Sequence, residues 1–127
     1  MHPILSYILS ILAGFIIGSI VNMAFIVTGQ NLFPLDIENM LEVKGVTPFV
    51  FPFIAHAAGT LVGAFIAAKI AKNHKKKLAM MIGFVFLLGG VQMVRLYEAP
   101  TWFVVLDLAG AYLPMGFLGW KLAAGKE

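Results

Sequence analysis

Cysteine is absent from the sequence. Without a thiol the chain can form no disulfide, carry out no thiol redox chemistry and offer no thiolate ligand to a metal ion. The absence leaves the redox state of its compartment open.

Charged residues are scarce as well. They make up 12% of the sequence, whereas 61% of the residues are hydrophobic and the mean hydropathy is +0.94. These values lie far outside the range of soluble domains and predict an all-α integral membrane protein. At 127 residues we expect one domain, residues 1–127, in which any chemistry resides in the membrane spans or their short connections.

Four apolar runs predict four transmembrane helices, at residues 4–28, 49–71, 78–96 and 102–120. Each run is long enough to cross a hydrocarbon layer of about 30 Å at about 1.5 Å per residue. The links 72–77 and 97–101 are too short to join anything but antiparallel neighbours, which predicts an up-down four-helix bundle. Pro34, an apolar face of Ile37, Met40 and Leu41, and Gly45 predict a short surface helix between the first two spans.

The distribution of lysine and arginine predicts the orientation. Lys44 and Arg95 fall on one side of the predicted membrane, and seven lysines fall on the other: Lys69, Lys72, Lys75, Lys76, Lys77, Lys121 and Lys126. Since basic residues concentrate on the cytoplasmic side, we expect cytoplasmic N and C termini, an external connection 29–48 and a multi-pass protein of the cell (inner or plasma) membrane. The basic pI of about 9.3 then reflects topology, and no nucleic-acid partner is expected.

Small residues recur every fourth position on the first two spans. Such faces let helices approach closely, so we expect these two faces to pack together, and the same pattern leaves open a homo-oligomer formed through them. The two faces consist of Ser10, Gly14, Gly18 and Asn22 on the first span and of Ala55, Gly59, Gly63 and Ala67 on the second.

Each span also contributes a polar side chain at a similar depth. Counting residues across the short links puts His56, Gln92 and Asp107 at one level, and Asn22 joins them if Thr28 and Phe49 both mark the membrane surface. Ionisable residues inside a membrane are costly and tend to be functional. Asp107 is expected to pair with Arg95, about one turn away, or with Gln92 or His56.

Two interpretations of this polar layer remain open. In the first, the polar side chains only hold the helices together through hydrogen bonds. In the second, they line an outer-leaflet pocket that binds a lipid-like or amphipathic small molecule from the surrounding membrane lipids. The candidate pocket residues are Asn22, His56, Thr60, Gln92, Arg95 and Asp107.

Further classes of function are weighed by the residues they require. A small proton-coupled transporter would use His56 and Asp107, a scaffold would use the small-residue faces, and acid–base catalysis would use His56 as the base. Haem bound by two histidines is excluded because His2 and His74 lie near the opposite surface. Zinc has too few ligands at the level of His56, so no metal and no cofactor is predicted.

Pro114 interrupts the fourth span. A proline cannot donate the backbone hydrogen bond that Gly110 would accept in a continuous helix, so a kink is predicted here. Gly110 lies one turn beyond Asp107, which places the kink beside the polar layer.

Overall fold

The computed structural model describes residues 2–125, and within that range all regular structure is helical. Four helical segments are long and apolar enough to cross a membrane: Pro3–Leu32, Thr47–Ile70, Lys75–Leu96 and Thr101–Ala123. The prediction of an all-helical protein with four candidate spans is therefore confirmed. We number its helices α1 (Pro3–Leu32), α2 (Thr47–Ile70), α3 (Lys75–Leu96), α4 (Thr101–Gly110) and α5 (Leu113–Ala123).

The first and third helices extend beyond the apolar runs. α1 continues past residue 28 to Leu32, and α3 already begins at Lys75, inside the predicted link 72–77. Hydropathy marks where a chain leaves the apolar layer, whereas a helix ends only where its backbone hydrogen bonds end. Gly29 lies in the added turn of α1, where the Phe51 side chain of α2, with its Cβ nearest, occupies the space that a Cβ on Gly29 would need.

The fourth span is broken in two. α4 ends at Gly110, and α5 begins at Leu113 with Pro114 in its first turn. Proline is well tolerated there because its missing N–H needs no partner at the start of a helix. The predicted kink is thus a complete interruption, in which Ala111 and Tyr112 lie between two helices.

The connection between α1 and α2 differs from the predicted surface helix. Its only helical part in the described chain is one 3₁₀ turn, Met40–Glu42. Leu35 and Met40 are buried, and Ile37 and Leu41 are exposed, so the apolar residues do not form the single face that the pattern indicated. Burial of Leu35 and Met40 fixes this segment against the bundle without a continuous helix.

The helices α1 and α2 pack through their small-residue faces. A Cβ added to Gly14 would lie 2.6 Å from the carbonyl oxygen of Gly63, and one added to Gly18 would lie 2.6 Å from that of Gly59. Both distances are below any normal carbon–oxygen contact, so only glycine permits this approach. The predicted packing of these faces on each other is confirmed, and within one chain both faces are buried except for the partly exposed Asn22.

The two ends of the bundle are distinct. At the acidic end, as we call it, residues 33–46 pack over the turn 97–100, with Leu35, Met40, Phe49 and Phe103 forming a cluster. At the basic end lie residues 71–74, the start of α1 and the end of α5, where Ser6 accepts a hydrogen bond from the Lys72 backbone N–H at 2.9 Å. The half of the bundle next to the basic end is filled by a second cluster: Ala64, Ala67, Ala68, Ala79, Ile82 and Trp120.

Candidate functional site

A cavity of about 250 Å³ opens inside the half of the bundle next to the acidic end. Four helices contribute to its wall, and the connection between α1 and α2 covers it with Leu35, Ile37 and Met40. Most of the wall is apolar. The lining residues on the helices and the turn are Ile26, Gly29, Gln30, Pro52, His56, Gly90, Met93, Val94, Tyr97, Ala99, Phe103, Val104 and Asp107.

His56 and Asp107 form a hydrogen-bonded pair in the wall of this cavity. The imidazole Nδ1 lies 2.8 Å from Oδ1 and 3.0 Å from Oδ2 of Asp107. The Asp107 side chain is 6% exposed, whereas the His56 side chain is 24% exposed. An ionised Asp107 carboxylate can only accept, and in that state Nδ1 carries the hydrogen and donates it.

Tyr112 completes the network from the break between α4 and α5. Its hydroxyl donates to Oδ2 of Asp107 over 3.3 Å, and its ring stacks on the His56 ring with centroids 5.7 Å apart. Asp107 therefore accepts from two side chains on two elements. The interruption at Pro114 brings Tyr112 back toward Asp107, five residues earlier in the chain.

Gly90 of α3 makes room for the tyrosine. A Cβ at this position would lie 2.6 Å from the Tyr112 hydroxyl oxygen and 2.8 Å from two of its ring carbons. The absence of a side chain on Gly90 therefore allows the tyrosine ring to occupy its place beside Asp107.

Two of the six predicted pocket residues, His56 and Asp107, line the cavity together. Thr60 lies one turn from His56 but is fully buried, and its hydroxyl donates to the His56 carbonyl oxygen over 2.7 Å. Asn22 packs on Gly59 in the contact between α1 and α2, where its Oδ1 is buried without a hydrogen bond from any described residue. Thr60 and Asn22 are thus outside the cavity wall.

The remaining two predicted residues, Gln92 and Arg95, lie on the exposed surface of α3. The expected ion pair between Arg95 and Asp107 is wrong, since Asp107 is paired with His56. Counting residues gave their depth along the bundle but not their direction around the helix. The cavity face of α3 instead carries Gly90, Met93 and Val94.

Sequence reasoning missed Tyr112, Gly90 and Gln30. Tyr112 had a signal, because an aromatic residue with a hydroxyl stands two positions before the proline that interrupts the span. Gln30 holds the cover of the cavity in place: its Oε1 accepts from the Leu35 N–H over 2.8 Å and its Nε2 donates to the Leu35 carbonyl oxygen over 3.2 Å.

The chemistry available to this site follows from its hydrogen bonds. With Nδ1–H directed at Asp107, the other imidazole nitrogen, Nε2, presents a lone pair and forms no hydrogen bond within residues 2–125. It can accept a proton or a hydrogen bond, and after protonation it can donate one. Within the same residues no three histidine or acidic side chains are grouped to hold a metal ion.

Fold and cavity together define a helical chain with four candidate membrane spans and a covered, mainly apolar cavity, whose wall contains a hydrogen-bonded carboxylate–imidazole pair. Comparison of the chain with protein-family models, with curated proteins and with solved structures finds no match. The functional argument therefore rests on the geometry of the chain itself.

Proposed function

We propose that the protein is a multi-pass membrane protein that binds a lipid-like or amphipathic small molecule in the cavity beside His56 and Asp107. The observation that carries the proposal is the position of this polar pair in the wall of an otherwise apolar cavity. Small-molecule sites typically combine apolar walls with a few placed polar groups. Hydrogen bonding between helices does not by itself require such a space beside the pair.

The polar group of the ligand follows from the hydrogen-bonding state of His56. Nε2 accepts from a ligand hydroxyl when the ring is neutral and donates to a ligand carbonyl or anionic oxygen when it is protonated. Asp107 supports either state, because it fixes the ring through Nδ1 and stabilises the imidazolium. The ligand class is therefore a molecule with an apolar body and a hydroxyl, carbonyl or acidic head.

Acid–base chemistry on the bound molecule is an extension of this proposal with less support. His56 would take or give the proton at Nε2, and Asp107 would hold the ring in the required tautomer. Tyr112 contributes a second donor to Asp107, which keeps the carboxylate directed at His56.

For the orientation, we propose that the acidic end faces outward and that both termini are cytoplasmic, in the inner or plasma membrane. Six of the seven lysines assigned to the cytoplasmic side fall within residues 2–125 and lie at or near the basic end, whereas Lys126 lies outside the described residues. The cavity would then lie in the outer leaflet. The α1–α2 connection, where a surface helix was predicted, would cover it on the outer side. A reporter fused after Glu127 should remain cytoplasmic, and export of that reporter would reverse the assignment.

Proton-coupled transport through His56 and Asp107 is supported less well. A transport path needs polar groups on both sides of the pair, but the half beyond Thr60 is packed with Ala64, Ala67, Ala68, Ala79 and Ile82. A scaffold that binds partner helices or a second copy through its small-residue faces is also supported less well, since those faces are buried between α1 and α2.

The proposal is tested by identifying what co-purifies with the wild-type protein and with three variants. His56→Ala should lose a specific bound amphiphile, measured by mass spectrometry of the extracted protein in a mild detergent. Val104→Phe fills part of the cavity while keeping both His56 and Asp107 in the chain, and it should lose the same molecule. Thr60→Val is the matched control on α2, and it should retain the molecule because Thr60 does not line the cavity.

Thermal stability of the same samples separates binding from folding. Binding is contradicted if His56→Ala and Val104→Phe both keep the wild-type lipid complement, with His56→Ala merely less stable. That result would leave the pair as a hydrogen bond between helices, worth roughly 0.6 to 2 kcal/mol.

A further inference from the structure

A second surface with the features of a ligand-binding site lies at the basic end, far from the cavity. Phe117 and Trp120 of α5 form a tilted aromatic pair with ring centroids 5.3 Å apart. The Lys76 ammonium of α3 stands 5.0 Å from the Trp120 centroid and 5.4 Å from the Phe117 centroid. The Lys121 ammonium stands 5.7 Å from the Trp120 centroid.

The two ammonium groups share one ring as a neighbour and have no acidic side chain near them within residues 2–125. The acidic residues of that range all belong to the other half of the bundle: Asp36, Glu38, Glu42, Glu98 and Asp107. Attraction to the aromatic rings supports each lysine, but it leaves both positive charges without a counter-charge from residues 2–125. An anion bound by Lys76 and Lys121 would supply one.

An open groove of about 460 Å³ adjoins Lys76 on α3. Lys76 and Lys77 lie at one end of it, and Met80, Met81 and Phe84 line the rest. From Lys76 to Phe84 the helix rises about 12 Å, along the part of α3 that is long and apolar enough to cross the membrane. The groove is therefore charged at its surface end and apolar along its length.

From this arrangement we infer a binding site for an anionic phospholipid. Its phosphate lies between Lys76 and Lys121, and one acyl chain follows Met80, Met81 and Phe84 toward the middle of the membrane. The charges select an anionic headgroup, because the choline of a zwitterionic lipid would add a third cation beside the two lysines. Methionine side chains adapt readily to a mobile chain. The inference does not depend on the cavity or on its ligand.

The site is tested with the full-length chain in detergent, by native mass spectrometry after addition of phosphatidylglycerol or phosphatidylcholine with identical acyl chains. The wild type should retain phosphatidylglycerol preferentially. K76Q and K121Q should each lower this preference about fivefold, the value of one lysine near an anionic membrane surface. K44Q is the matched control at the acidic end and should leave the preference unchanged.

Two further arms examine the acyl chain and the phosphate. F84A should lower retention of both lipids alike, because it removes apolar contact without changing charge, and unchanged retention would overturn the acyl groove. Millimolar inorganic phosphate should not displace phosphatidylglycerol; full displacement would mean that the lysines recognise phosphate alone. Equal retention of the two lipids by the wild type, or an equal loss in K44Q, would overturn the whole site.

Discussion

The two halves of this bundle are built from different residues and differ in what they leave open. Next to the basic end, alanines and glycines bring the helices so close that carbonyl oxygens fill the space of missing side chains. Next to the acidic end, the wall consists of larger side chains such as Met93, Phe103 and Val104, and a cavity of about 250 Å³ remains between them. Small side chains thus produce a dense half, and large ones hold the helices apart.

This difference separates close helix packing from open space along the bundle. Close backbone approach gives many dispersion contacts and no room for a ligand. The looser half keeps its polar network because His56, Asp107 and Tyr112 satisfy one another. Substitutions in the dense half should therefore cost the most stability, whereas those in the cavity half should cost less and, under the proposed function, also change what the protein binds.

The largest effect is expected for Gly63→Ala in the dense half. The new Cβ would lie 2.6 Å from the Gly14 carbonyl oxygen, and a backbone atom cannot move aside without separating α1 from α2. We expect a loss of about 3 kcal/mol, at the upper end of the usual cost of overpacking. The measurement is reversible unfolding in mixed detergent micelles, read by circular dichroism.

The matched control for Gly63→Ala is Gly89→Ala. Gly89 is a helical glycine of α3 with nothing within 4 Å of an added Cβ. This variant should be as stable as the wild type or slightly more stable, since alanine favours the helix. Similar losses for the two variants would show that the α1–α2 contact is not what makes glycine necessary.

A loss of about 2 kcal/mol is expected for Asp107→Ala in the cavity half. The substitution leaves the Tyr112 hydroxyl and His56 Nδ1 without their shared acceptor in a buried position. In a double-mutant cycle, His56→Ala should be non-additive with Asp107→Ala, because the two side chains form one hydrogen-bonded pair. Arg95→Ala should be additive with Asp107→Ala, and coupling to Arg95 instead would overturn the pairing described above.

Hydropathy predicted the four candidate spans because a membrane helix must be apolar along most of its length. Which residues form the site depended instead on the direction in which each side chain points around its helix. His56 and Asp107 were at the right depth and also faced inward. Gln92 was at the same depth, yet it follows Gly90 by two residues and therefore points about 200° away from it. The buried face of α3 contains Ala79, Gly83 and Gly90, and this small-residue spacing was the usable signal.

The cavity itself could not be predicted from the sequence. Its volume depends on how side chains from four helices fill a shared space, and on how the connection between α1 and α2 folds back over it. The periodicity of residues 34–45 indicated a surface helix, whereas burial of Leu35 and Met40 decided the fold of this segment. Tertiary packing overrode local preference in a stretch too short to form a stable helix alone.

A loss of about 1 kcal/mol is expected for Gly90→Ala. Its Cβ would meet the far end of the Tyr112 side chain, which can shift where a backbone oxygen cannot. Tyr112→Phe removes the atom in closest contact, so Gly90→Ala should cost less in that background than in the wild type. An equal cost in both backgrounds, measured by the same unfolding experiment, would exclude the tyrosine hydroxyl as the source of the strain.

The smallest effect on stability, below about 1 kcal/mol, is expected for Gln30→Ala, and its consequence should appear in dynamics. The Gln30 amide makes both backbone hydrogen bonds to Leu35, and these hold the connection over the cavity. Releasing them should speed hydrogen exchange in residues 33–46 while α2 stays protected. Gln30→Glu keeps the acceptor for the Leu35 N–H and loses the donor, so its exchange should be intermediate. If Gln30→Ala left exchange in residues 33–46 at the wild-type rate, burial of Leu35 and Met40 alone would hold the cover in place, and access to the cavity would have to be controlled elsewhere.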